Sequence, residues 1–198
     1  MLIALTLVVL VLMTAVMVAA WSFGLRRGNG GWTDVFWTFG SGAALAGAAL
    51  VPLSWGEAPS PRQWLVAGRV ALWSIRLGRY IAGRVDGHPE DPRYARFRQD
   101  WGAAYPRNML FVALPQAPAT ALLALSVLLA ARTPGPIGLR DVLAVAVLVL
   151  AILGEGLADA QMKMFKAAPA NQGQVCDAGL WGWSRHPNYF FEWLGWLA

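Results

Sequence analysis

Residues 2 to 21 read Leu-Ile-Ala-Leu-Thr-Leu-Val-Val-Leu-Val-Leu-Met-Thr-Ala-Val-Met-Val-Ala-Ala-Trp, with no charged side chain in the run. A helix of that length, rising about 1.5 Å per residue, reaches across the hydrocarbon core of a bilayer. Arg26 and Arg27 close the run. A secretory signal peptide carries its basic region before the apolar core. Here the arginines follow it, so the run reads as a retained first membrane helix.

The rest of the chain fits that start. Hydrophobic residues are 57% of the chain and charged ones 14%, with a mean hydropathy of +0.47. Such a composition predicts several spans instead of one soluble core. The single cysteine, Cys176, excludes an internal disulfide framework, and with two histidines it leaves no metal cluster of usual spacing. The net charge of +5 sits largely in short loops beside apolar runs, which marks membrane topology and not a nucleic-acid footprint.

Outward from the first helix, Gly28, Gly30 and Gly31 predict a turn, and a second span runs from Trp32 to Val51. Its Gly40 to Ala48 stretch of small residues allows close helix approach. Asp34, near its start, is expected to cap the helix in preference to lining a cavity. Pro52 to Pro61 is a turn-rich connection. The third span, Trp64 to Gly83, places Arg69, Trp73, Arg76 and Tyr80 on one stripe, which should face the bundle interior or a water-filled cavity. Arg84 to Arg107 reads as a solvated connection with a brief amphipathic helix at Tyr94 to Trp101 on the surface. A fourth span covers Asn108 to Ala131, with a break near Pro115 and Pro118, and a fifth covers Leu139 to about Ala160. The expected fold is an all-α polytopic membrane helix bundle, a single domain over residues 1–198, with five full spans plus the start of a sixth.

Two constellations carry the chemistry. Glu155, Asp159, Lys163 and Lys166 fall within roughly an 80° arc at helical spacing, so two acids at membrane depth precede two bases emerging into water. Glu at that depth is costly and points to a ligand. The second is Arg185, His186, Asn188, Tyr189 and Glu192, set among four tryptophans and two phenylalanines between Gly179 and Ala198. Pro187 pushes His186 out of the helical region and is suited to open a helix, whose free N–H groups favour an anionic ligand. The positive-inside rule puts the N-terminus outside and both constellations on the cytoplasmic face. Only about a dozen residues of that last helix precede Ala198, so residues 139–198 read as an incomplete C-terminal part of a truncated chain.

These stretches resemble the C-terminal domain of the steroid 5-alpha-reductase superfamily, and most closely its bacterial branch of domain-of-unknown-function membrane proteins. The resemblance rests on the spacing from Glu155 to Lys166, on Gly179-Leu180-Trp181, and on Arg185-His186-Pro187-Asn188-Tyr189 with Glu192. The Trp73 to Leu77 and Glu90 to Tyr94 runs resemble that branch too. It implies a bundle holding NADPH in a cytosol-facing cavity and reducing a carbon-carbon double bond conjugated to a carbonyl in a lipophilic substrate, steroid-like or another lipid. By the same resemblance Glu155 and Asp159 belong to the cofactor pocket, Lys163 and Lys166 suit the cofactor phosphates, and Asn188 and Glu192 meet the nicotinamide end. Arg185, His186 and Tyr189 stand at the same mouth. Trp73 occupies the position where the reductases place their carbonyl-polarising tyrosine, which leaves Tyr80 or water as the candidate proton donor. The Arg185 to Tyr189 stretch is also similar to isoprenylcysteine methyltransferases, so an S-adenosylmethionine-dependent transferase is the alternative, and a non-catalytic membrane scaffold or truncated product the third reading.

Overall fold

Helix α1 (Leu2–Arg27) ends at Gly28, whose φ of 65° is a left-handed conformation that L side chains resist. The turn closes with the Asn29 N–H donating to the Gly24 carbonyl at 3.1 Å, which satisfies an otherwise orphaned helix end. In the computed structural model, which describes residues 1–54 and 56–198, seven further helices follow: α2 (Trp32–Leu50), α3 (Pro61–Val85), α4 (Pro92–Trp101), α5 (Tyr105–Ala113), α6 (Gln116–Ala131), α7 (Leu139–Ala167) and α8 (Pro187–Leu197). No strand occurs among the described residues. Trp55, in the connection before α3, lies outside them. The chain divides into two compact units, Met1–Gly135 and Pro136–Ala198.

In the first unit α2 packs against α1, α3 and α6, and α1 lies along α6. Small residues on α2 permit this: a Cβ on Gly40 would stand 2.6 Å from Val16 Cγ1, and one on Gly42 would collide with Ser74. Hydroxyls inside the bundle are satisfied locally. Ser74 Oγ donates to the Thr38 carbonyl at 3.0 Å, and Trp37 Nε1 donates to Thr120 Oγ1 at 3.1 Å.

Each end of this bundle is tied by a polar cluster. At one end Ser60 caps α3 in a reciprocal box with Gln63, whose Oε1 accepts from the Ser60 N–H at 3.0 Å. The fully buried Gln63 also donates through Nε2 to the Ala49 and Val51 carbonyls at the end of α2, both at 2.7 Å. Arg62 Nη1 donates to the Thr133 carbonyl at 2.6 Å, and Arg132 Nη2 to the Val51 carbonyl at 3.0 Å. At the other end Glu90 accepts from the Gly30 N–H at 2.6 Å and pairs with Arg98 at 3.0 Å.

The second cluster corrects two expectations. Asp34 does not cap α2, which starts after Gly31 without a side-chain cap. Its carboxylate accepts instead from Tyr94 Oη at 3.0 Å and pairs with Arg93 at 3.5 Å, clamping α4 onto α2. The Arg84 to Arg107 connection is therefore docked, not merely solvated. Tyr94 and Tyr105 are buried with Met109, packed by Trp21, Leu25, Phe97 and Trp101. The amphipathic helix itself sits where its pattern put it, at Pro92–Trp101, and the proline break falls between α5 and α6.

Among the described residues three segments are long and apolar enough to cross a membrane: Leu2–Arg27, Pro92–Ala131 and Leu139–Ala167, with mean hydropathies of 2.9, 1.8 and 2.2. In length and composition they are consistent with a membrane protein. The expected count of five exceeds what these segments supply. α2 is rich in Gly, Ser and Thr and is surrounded by other helices, while α3 carries Arg62, Arg69, Arg76, Arg79 and Arg84, so neither reaches the apolarity of a lipid-facing span.

Candidate functional site

The second unit is built on α7. Along its last turns Glu155 is buried, Asp159 half-buried, and Lys163 and Lys166 exposed, the gradient that the spacing predicts. Lys166 stands in the final turn, where the helix dipole favours a cation. Asn171 Nδ2 donates back to the Phe165 carbonyl at 2.9 Å and so caps that end. The chain then wraps round the end of α7. Leu180 N–H donates to Gln161 Oε1 at 3.0 Å, and Trp181 Nε1 to the Ala158 carbonyl at 2.9 Å. A side chain on Gly179 would strike Gln161, so this turn approaches α7 as closely as backbone allows.

His186 has a φ of −143° and ψ of 62°, outside the helical region as its place before Pro187 requires, and α8 opens at that proline. α8 returns antiparallel to α7. The Phe191 ring occupies the space over Gly154, and a Cβ on Gly195 would stand 3.5 Å from that of Ala151.

Between the end of α7, the wrapping loop and the run into α8 lies an open cavity of about 1070 Å³, lined by Lys166, Asn171, Gln174, Cys176, Asp177, Trp181, Arg185 and His186 among others. Three predicted site residues, Lys166 from the end of α7 and Arg185 and His186 from the run into α8, thus line one cavity. A smaller cavity of about 350 Å³ adjoins Gln161, Met164 and Gly179, and Phe165 and Cys176 line both.

The remaining predicted residues fall elsewhere. Lys163 is exposed and points outside the lining. Tyr189 stacks on the His186 ring, with centroids 5.1 Å apart, and so holds a lining residue. Glu192 Oε1 accepts from Trp196 Nε1 at 3.1 Å. Asn188 Oδ1 is enclosed and receives no hydrogen bond. Tyr80 belongs to the first unit. It sits at the exposed edge of α3 with the Arg84 guanidinium 5.6 Å from its ring centre. Of its stripe, Trp73 is buried against Trp37 and belongs with Val66, Val70, Ser74 and Gly78 to the packed face of α3, whereas Arg69 and Arg76 are half-buried at its margin. No group of three or more His, Cys, Asp or Glu suited to a metal occurs among the described residues.

A family model described as a protein of unknown function, DUF1295, matches residues 20–198. The chain belongs to the DUF1295 family. Searches of curated proteins and of solved structures give no match. The match takes in the whole of the second unit of this DUF1295 chain, including the cavity-lining loop residues Asn171 and Gln174, to which the sequence gives no role, and Cys176, which reads from sequence as an ordinary loop thiol. Their only local signal was turn chemistry at Pro169 and Gly173, which marks a loop without revealing that it folds over a cavity.

Proposed function

We propose that the chain is a membrane oxidoreductase that holds NADPH in the cavity of the second unit and reduces a conjugated carbon-carbon double bond of a lipophilic enone. The observation that carries this reading is that Lys166, Arg185 and His186 all line one cavity of about 1070 Å³. Sites for small molecules commonly enclose about 300 to 1,000 Å³, so there is room for a dinucleotide end, and the cations suit its phosphates. The enclosed Asn188 Oδ1 is an acceptor suited to a carboxamide N–H. Bound there, NADPH supplies the hydride. The protein's share in this reading is to hold phosphates through Lys166 and Arg185, with Lys163, one turn earlier on α7 and outside the lining, as a further cation, and to orient the nicotinamide end with Asn188 and Glu192. Glu155 and Asp159 are the acids of the cofactor pocket in this reading, and water is the proton source.

The same reading takes α2 and α3 as spans shielded by their neighbours, giving five, with the N-terminus outside and the cavity facing the cytoplasm of a bacterial cell. Support comes from how the arginines are used: Arg62 and Arg132, on the cation-poor side, are engaged with backbone carbonyls, so the topological bias of the opposite side is the larger. The test is NADPH affinity in detergent-purified protein. Asn188→Ala and Glu192→Ala should each weaken it about tenfold, the worth of one charge-assisted or buried hydrogen bond. Unchanged affinity in both variants removes the assignment.

A further inference from the structure

The six carboxylates of the first unit are Asp34, Glu57, Asp86, Glu90, Asp91 and Asp100. Asp34 stands in the first turn of α2, and the other five lie in the connections or on α4. The remainder of α2, and all of α3 and α6, carry no acid. Yet α3, which packs against both, holds Arg69 two turns from its start. Its neighbours on the same helix are engaged: Arg62 donates to carbonyls of the 133–135 turn, and Arg84 covers the Tyr80 ring. Arg69 is half-buried and makes no hydrogen bond, ion pair or ring contact with any described residue.

A guanidinium part-way into a bundle is expensive without a counter-charge, and the described residues of the first unit's packed helices offer none beside Arg69. Beside it the surface is apolar and notched. Leu72 is exposed, and nothing stands within 4 Å of where a side chain on Gly68 would be. We propose that Arg69 is the counter-charge for an oxyanion, a carboxylate or phosphate, at the head of an amphiphile whose tail lies along this edge of α3. The head group is shared chemistry: it belongs either to a resident phospholipid or to a diffusing acidic lipid of the kind an enone-reducing enzyme would take. The inference rests on α3 lying in the bilayer, but not on any cofactor.

The test uses the full chain in neutral detergent without NADPH. A long-chain fatty acid, the alcohol of the same chain length, phosphatidic acid and phosphatidylcholine are titrated, with the melting temperature as readout. At least one of the two acids should raise the melting temperature at concentrations roughly tenfold below its neutral or zwitterionic counterpart. Fatty acid alone indicates a diffusing ligand, and phosphatidic acid alone a headgroup anchor. Arg69→Gln should abolish that preference and Arg69→Lys should keep part of it. Because removing an uncompensated charge relieves the empty protein, Arg69→Gln should also melt at or above the wild-type temperature when no lipid is added. Equal response to acid and neutral lipids, no response to any, or an acid preference that survives Arg69→Gln overturns the proposal.

Discussion

Gln63 is the residue whose replacement tests the packing of the first unit most sharply. It is fully buried and joins three pieces of backbone: the Ser60 N–H at the start of α3, and the Ala49 and Val51 carbonyls at the end of α2. In Gln63→Leu the side-chain volume is nearly kept, so the loss is polar and no large cavity opens. Val51 retains a donor in Arg132 Nη2 at 3.0 Å, whereas the buried Ala49 carbonyl loses its side-chain donor. Ser60 N–H, part-buried, loses its acceptor and recovers some of that from water. Leaving a buried group unsatisfied costs about 1–3 kcal/mol and losing an accessible hydrogen bond about 1 kcal/mol, giving a total of about 2–4 kcal/mol. Because Arg132 and Gln63 meet on the same carbonyl, the double variant with Arg132→Leu should depart from additivity. The assay is reversible unfolding in mixed micelles of increasing denaturing-detergent fraction. A loss below about 0.5 kcal/mol for Gln63→Leu, within the scatter of surface substitutions, refutes the reasoning.

Two further outcomes follow from close contacts and charge. Gly154→Ala places a methyl where the Phe191 ring sits, so it should cost about 1–3 kcal/mol by overpacking and detach α8 from α7. Gly154→Ala combined with Phe191→Leu should recover part of that loss, read by proteolysis within residues 168–186. Asp91 caps α4 by accepting from the Arg93 N–H at 2.9 Å. Its partial burial acts to raise the carboxyl's pKa, but the hydrogen bonds from the Arg93 guanidinium and backbone, with the charges of Arg93 and Arg84, hold it below the usual carboxylate range. A depressed carboxyl contributes stability that is fully present above its unfolded value of about 3.9 and is lost as the pH falls through the lower folded value. Hydrogen exchange across Arg93–Trp101 should therefore be protected evenly from about pH 5 to 8 and lose protection only below about pH 4. Asp91→Ala should show weaker protection, by about 1 kcal/mol, at every pH in that window.

What could be read from the chain alone divides along physical lines. Local rules located α1, with its arginines behind it, the proline-opened α8, the amphipathic α4 and the break between α5 and α6. Each of these depends on residues within a few positions of one another. The α7 spacing also put Lys166 at the exposed end of its helix, and the pre-proline geometry put His186 outside the helical region at the start of α8; both residues and Arg185 line one cavity. The polar ties escaped because they join residues far apart in sequence. Gln63 reads as an ordinary polar residue on a helix until the α2 carbonyls are brought to it. Asp34 reads as a cap, and becomes a clamp only when Tyr94, 60 positions away, is folded against it. Tyr80 illustrates the limit of counting turns. Its stripe was identified, but which side of α3 is covered depends on where α2 and α6 lie, and that placed it at an exposed edge.

The central claim is that the cavity lined by Lys166 and Arg185 in the second unit holds NADPH, and one equilibrium titration tests it most directly. NADPH is added to the detergent-purified chain, with S-adenosylmethionine as competitor, for the wild type and for Lys166→Gln with Arg185→Gln. Saturable NADPH binding, not displaced by the methyl donor and weakened at least tenfold by removing the two charges, is the predicted result. NADPH affinity that is absent, or that is indifferent to Lys166 and Arg185, contradicts the account, and displacement by S-adenosylmethionine would transfer the cavity to methyl transfer.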